Sequence, residues 1–264
     1  MLNLKDMHQW AEELERRLRL KTFPLAVKLL EKEEHIPEGA MRPIRDLGYH
    51  LPLCQGYAMS RREGTVVAML KQDMWCFEPV VGYGLVESPQ YFLEGCNRFP
   101  QDVKTLEAGR NYASDFPRLE TGKYIGVASA PLTTANFEPD LVIIYCDSSQ
   151  LSLLLLGREY KDGHDLKCSL SSHAACVYSV VPVMQSGECR VAIPCRGDHY
   201  MAIAGDDELI FTVPKEKLED LMVGLRYLET TGSKLPRNYQ TRREPEFPES
   251  YMKIAKMIGM LEDK

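Results

Sequence analysis

The sequence predicts an α/β fold, at the border with α+β: a mixed sheet with helices packed on it and an internal helix–strand quasi-repeat. Three observations carry this. Short apolar runs with the length of buried strands alternate with stretches whose apolar residues recur every three or four positions. Glycine and proline punctuate the joins instead of gathering into one linker, so the 264 residues read as a single domain, 1–264. Two cysteine-bearing stretches read as rough copies. The first runs from Cys54 to Gly64, through the apolar Thr65–Leu70, to Cys76, and the second from Cys176 to Gly187, through Cys189–Ile193, to Cys195. Each is a helix opening near a cysteine, a glycine stop, a strand, and a cysteine as the strand ends. The copies occupy about 50–86 and 172–213, and their cysteine-to-glycine spacings differ by one residue.

Taken in order, Met7, Trp10, Ala11, Leu14 and Leu18 fall at helical spacing with charged residues between them, an amphipathic helix with one face on a core. Pro24–Leu30 reads as a strand, and the polar stretch Glu31–Pro52 as a loop long enough that it should cover something. In Phe77–Val86 the glycines Gly82 and Gly84 imply a tight backbone, and helical signal returns over Pro89–Gly95 and Gln101–Tyr112. Tyr124–Ala130 and Asp140–Tyr145 are nearly continuous in apolar residues, as buried strands are. Ser148 and Ser149 are expected to cap a helix through Leu156, their hydroxyls taking up its first free amides. Glu208–Val213 is a further strand, Pro214 a helix start, and Lys215–Leu228 a helix with Leu218, Leu221, Met222 and Leu225 on one face. Thr231–Pro245 reads as a loop and Ser250–Leu261 as a closing helix.

A net charge of −6 argues against nucleic acid as a partner, which would call for clustered Lys and Arg. The short basic pairs Arg61-Arg62 and Arg242-Arg243 have acidic neighbours and read as solvated faces. The opening residues lack the pattern of a secretory signal, and the apolar runs are too short to span a bilayer. No membrane association is expected, and the location is expected to be cytoplasmic, where thiols stay reduced. Eight cysteines must then be core residues, reactive thiols or metal ligands.

The quasi-repeat has the layout to deliver Cys54, Cys76, Cys176 and Cys195 to one place. Four thiolates suit an iron–sulfur cluster of the 4Fe–4S kind or a closed zinc site. No Cys-x-x-Cys is present, so the spacing matches no ferredoxin or zinc-ribbon run. Cys146 reads as core, and Cys96, Cys168 and Cys189 lie near turns or strand starts. Around the four thiols, Arg196, Asp198 and His199 are the candidate cofactor-binding shell, since Pro194–His199 sits where a strand ends and Arg196 suits a bidentate anion contact. His173, three residues before Cys176, is an alternative ligand or proton donor. A nucleophilic Cys195 with His199 as its base is a further option. Gly109–Tyr112 with Arg118 could hold an anion, Asp206–Glu208 reads as a solvated turn, and Gly82-Tyr83-Gly84 lacks the rest of a phosphate-loop fingerprint.

Pro139–Tyr145 with Ser149-Gln150, Met184–Asp198, Gly205–Leu209 and Val213–Leu218 together resemble a prokaryotic family, the domain of unknown function 169. The likeness covers most of residues 24–239 and is most specific from Gln185 to Leu218. It implies a cytoplasmic protein of anaerobes with a few placed cysteines, among which Cys54, Cys76 and Cys195 match the family pattern. The Ser148-Ser149 pair departs from the Pro-x-Gln expected there.

The resulting expectation is an iron–sulfur or metal-binding protein of anaerobic metabolism, in electron transfer or as accessory to a metalloenzyme. A redox protein or metalloenzyme is the expected partner, with a homo-oligomer an option. The alternative is a small-molecule or tetrapyrrole-binding module without chemistry of its own.

Overall fold

The structure, a computed structural model, describes residues 3–231 and 247–260. It divides into two units, Met1–Lys234 and Leu235–Lys264. The second unit contributes the helix α11 (Glu249–Met257), at the expected place, and most of the loop expected over Thr231–Pro245 lies outside the described residues.

Six strands form one sheet in the first unit: β1 (Leu25–Leu30), β2 (Val67–Leu70), β3 (Gly126–Pro131), β4 (Leu141–Cys146), β5 (Arg190–Ala192) and β6 (Leu209–Pro214), in the order β2-β3-β1-β4-β6-β5. Helices and sheet combine as expected of α/β. Every ladder between named strands is antiparallel, and parallel pairing occurs among the described residues as two isolated bridges, Met41 to Val67 and Leu51 to Met74. Those bridges belong to the stretch expected to be a covering loop. It runs along β2, where Met41 exchanges backbone hydrogen bonds with Val66 and Ala68, so what it covers is the edge of the sheet.

The two faces of the sheet are dressed differently. One face, built on Ala26, Leu30, Val142, Ile144, Phe211 and Val213, is covered by the long helices. These are α1 (Leu4–Leu18), α6 (Ser148–Glu159) and α10 (Lys215–Thr230). The helical periodicity of α1 buries Met7, Trp10, Ala11, Leu14 and Leu18 as expected. The N-cap of α6 is Asp147 rather than a serine: its carboxylate accepts from Gln150 N–H while Gln150 Oε1 accepts from Asp147 N–H, a reciprocal box that a hydroxyl one residue later cannot make. Where α6 crosses α10, a Cβ on Gly224 would stand 2.0 Å from the Gly157 carbonyl, so the helices pack at backbone contact.

The other face, built on Leu25, Val27, Leu29, Ile143, Tyr145 and Ile210, carries short helices. They are α2 (Leu53–Ala58, continued by a π turn over Met59–Glu63), α3 (Phe77–Gly82), α4 (Gln90–Leu93), α5 (Leu106–Asp115), α7 (Ala175–Tyr178), α8 (Val181–Ser186) and α9 (Arg196–Met201). A buried ion pair ties this face together. Arg61, expected on a solvated face, is 1% exposed and forks onto both carboxylate oxygens of Glu208 at 2.9 and 3.0 Å. Burial works against the charge on Glu208, but the Arg61 fork and the Gly205 amide hold its carboxyl below the usual range. Asp207 beside it turns outward to Lys21, whereas Glu208, expected in a solvated turn, is buried.

Candidate functional site

Both cysteine stretches use the same local devices. Cys54 is the second residue of α2 and Cys176 the second of α7. The helical segment that follows each ends on a left-handed glycine, Gly64 at φ 78° and Gly187 at φ 67°, a conformation other residues adopt only under strain. A strand begins three residues later in both cases, at Val67 and Arg190. After the strand, Cys76 is the N-cap of α3 and Cys195 the N-cap of α9.

The result is one cleft of about 630 Å³ lined by all four thiols. Pro52, Leu53, Ala174 and Gly197 contribute apolar wall, and Glu78, Arg98, Asp102 and His173 a polar one. Trp75, Tyr200 and Met201 also line it while remaining exposed, so the mouth is broad and aromatic. All eight cysteines are free thiols. Among the described residues no group of three His, Cys, Asp or Glu side chains is placed to hold a single metal ion.

Each cap thiol has its own carboxylate. Cys76 Sγ–H donates to Glu78 Oε2 at 2.7 Å, and Cys195 Sγ–H donates to Asp198 Oδ2 at 2.9 Å. Asp198 also accepts from Cys195 N–H and from Tyr145 O–H. Tyr145 in turn lies under the Arg61 guanidinium, 3.8 Å from its ring centre. Behind Cys176, Tyr83 donates to the Cys176 carbonyl at 2.8 Å and shares a hydrogen bond with Tyr57. On the polar wall, Arg98 reaches Asp102, Glu78 and the Tyr112 hydroxyl.

Burial dominates the electrostatics. It pushes the Cys195 thiol up to about 11, with the Asp198 charge adding to it. Burial likewise pushes up Cys54, with Asp198 and Cys195 next in weight, and Cys76, with Glu78 next. Cys176 is raised well above the usual thiol range by burial, and among its charged neighbours Cys76 weighs most. His173 is shifted down by burial and then by Arg98, which keeps its imidazole neutral. The free cleft therefore holds protonated thiols beside a neutral imidazole.

The expected shell is divided by the structure. Arg196 lines the cleft, with its guanidinium over the Tyr200 ring. Asp198 is buried beneath the lining and orients Cys195. His199 is exposed and turns its Nδ1 to the Ala204 carbonyl, while the Cys195 thiol points to Asp198, so the arrangement lacks the contact a Cys195–His199 nucleophile pair requires. Cys146 and Cys189 are buried in the core on the opposite face. Glu78, Arg98, Asp102 and Trp75 were not singled out by sequence reasoning. Glu78 alone carried a local signal, an acid two residues after a candidate ligand.

Comparison with known proteins adds a family and no chemistry. A family model described as an uncharacterised ArCR family, DUF169, matches residues 13–224. A protein of Methanocaldococcus jannaschii, itself described as uncharacterised, is 22% identical over 229 residues, covering 86% of this chain and 96% of that protein. No solved structure matches.

Proposed function

The chain belongs to the uncharacterised DUF169 family, and from that premise and the four-thiol cleft we propose that it binds a metal centre, an iron–sulfur cluster of the 4Fe–4S kind. The observation carrying this reading is that Cys54, Cys76, Cys176 and Cys195, scattered over 142 positions of the chain (54 to 195), line a single cleft. Soft thiolates are the donor set of iron–sulfur centres. A closed zinc site draws its ligands onto one ion. Thiols spaced around a cleft of about 630 Å³ suit a polynuclear core, whose own sulfides fill the middle.

Thiols must shed their protons to bind metal. The carboxylates of Glu78 and Asp198, already hydrogen-bonded to Cys76 and Cys195, are the first acceptors. Arg196 supplies positive charge at the cleft, which offsets the negative charge of a thiolate-ligated core, while Arg98 is taken up by Glu78 and Asp102. The bound cluster would supply one-electron redox chemistry. Its work is electron transfer, or service as an accessory to a metalloenzyme of anaerobic metabolism, in a reducing cytoplasm that keeps these thiols free. No helix among the described residues is long and apolar enough to cross a membrane.

A second reading, a tetrapyrrole or other small-molecule module without catalysis, is favoured by a different observation. The cleft has the volume of an ordinary ligand pocket and an exposed aromatic mouth at Trp75 and Tyr200, on which a flat ring could lie. Anaerobic purification with assay of iron, zinc and acid-labile sulfide separates the two. The cluster reading expects brown protein with about four irons and four sulfides per chain. Visible absorbance without sulfide transfers the site to the flat-cofactor reading, and colourless, iron-free anaerobic protein rejects the cluster.

A further inference from the structure

The repeat seen in the cysteine stretches extends through the whole sheet. In the order β2-β3-β1-β4-β6-β5, reversing the list exchanges β1 with β4, β2 with β5 and β3 with β6, and the three strands of each half follow one another in the chain. The registers agree residue by residue. Leu25, the first residue of β1, pairs with Pro131, the last of β3, and Leu141, the first of β4, pairs with Pro214, the last of β6. The first residue of β2, Val67, pairs with Ser129, and the first of β5, Arg190, pairs with Thr212; each partner stands two residues before its terminal proline. Between the halves, Leu25 pairs with Ile143, Ala26 with Val142 and Val27 with Leu141. That ladder maps onto itself under the exchange, with Ala26 and Val142 at its centre. A local two-fold axis therefore passes through the sheet between Ala26 and Val142.

The same axis relates the helices that hold the thiols. α2, bearing Cys54, packs against α9, capped by Cys195, and α7, bearing Cys176, packs against α3, capped by Cys76. Each contact joins a helix of one half to a helix of the other, and the exchange of halves turns one contact into the other. At the first contact, a Cβ on Gly197 would lie 3.5 Å from Cys195 Sγ and 3.9 Å from Cys54 Sγ. At the second, a Cβ on Gly82 of α3 would lie 2.5 Å from the Val177 side chain, next to Cys176.

We infer that the cleft is a composite of two duplicated halves, in which the thiols pair across the halves, Cys54 with Cys195 and Cys76 with Cys176, around the local two-fold axis. The ligand that fits such a site is thiophilic and itself two-fold symmetric, engaging both halves at once, as an iron–sulfur core of two or four irons does and a lopsided organic cofactor does not. The choice of ligand rests on the metal-centre reading; the pairing of thiols does not.

The pairing is tested on full-length, metal-free protein with two of the four cleft thiols retained and the other two replaced by serine. Dibromobimane, which fluoresces on bridging neighbouring thiols, is the probe, with monobromobimane labelling to show that each retained thiol can react. Bridging in the Cys54/Cys195 and Cys76/Cys176 proteins, at least tenfold above the Cys54/Cys76 and Cys176/Cys195 proteins, is the expected result. Equal or greater bridging within a half would overturn the inference, as would singly labelled but unbridged thiols in the cross-half pairs. These outcomes do not depend on iron content, so a failure of the cluster reading is distinguishable from a failure of the pairing.

Discussion

The two faces of the sheet use the same strands and opposite building materials. Under α1, α6 and α10 the core is apolar and the helices long, and where α6 meets α10 they close to backbone contact at Gly157 and Gly224. On the other face the helices are four to ten residues long, and buried between them are hydroxyls, thiols, carboxylates and guanidinium groups. Burying such groups costs stability unless each finds a partner, so a chain does not accumulate them on one face for the sake of folding. The helical face holds the protein together, and the polar face carries the four-thiol cleft.

Removing the charge of Glu208 strains that contrast most. Glu208→Gln leaves the Arg61 guanidinium buried without its counter-charge, and urea unfolding should show a loss of about 3–5 kcal/mol. The same variant should speed alkylation of Cys195, because the chain of contacts from Arg61 over Tyr145 to Asp198 is what seats that thiol. An unchanged alkylation rate would mean that the ion pair and the cleft are independent. On the helical face, Leu14→Ala empties a fully buried site and should cost about 2–4 kcal/mol while leaving Cys195 alkylation as it was. Should alkylation rise with it, the faces do not divide the labour as described.

The smallest effect has the opposite sign. Thr212 occupies the place in β6 that Ser129 occupies in β3; Ser129 shares a hydrogen bond with Ser60, whereas the Thr212 hydroxyl is buried without a partner. Counting back from each glycine stop, the residue matching Ser60 is Val183, which has no polar group to offer. Thr212→Val should therefore raise stability by about 1 kcal/mol in the same unfolding measurement, with the cleft unaltered. A loss of stability would show that the hydroxyl is satisfied after all.

Much of this was legible from local pattern. Continuous apolar runs gave β3, β4 and β6, and three-to-four spacing gave α1 and α10, because those signals are written within a few consecutive residues. The cysteine stretches were recognisable for the same reason: helix, glycine, strand and cap follow one another along the chain. What escaped is non-local or depends on backbone placement. Arg61 finds Glu208 from 147 positions away, and nothing around Arg61-Arg62 distinguishes a buried arginine from a solvated one. The polar wall of Arg98, Asp102 and Glu78 is likewise assembled by the fold. The cap of α6 was misplaced by one residue, since Asp, Ser and Ser are all good capping residues and the backbone decides among them. His199 was named by its nearness in sequence to Cys195, but α9 carries it out to solvent while Asp198, one residue earlier, stays in.

The seam between the halves is the shortest ladder of the inner sheet. β1 and β4 share three residue pairs, whereas β1 with β3 and β4 with β6 share six each. Partial opening of the domain would begin along that seam, parting the halves while each keeps its own three strands, as cooperative units of folding do. A ligand gripping thiols from both sides is then a clasp across that short ladder. By mass action, its occupancy would be felt first in the protection of the seam amides against hydrogen exchange.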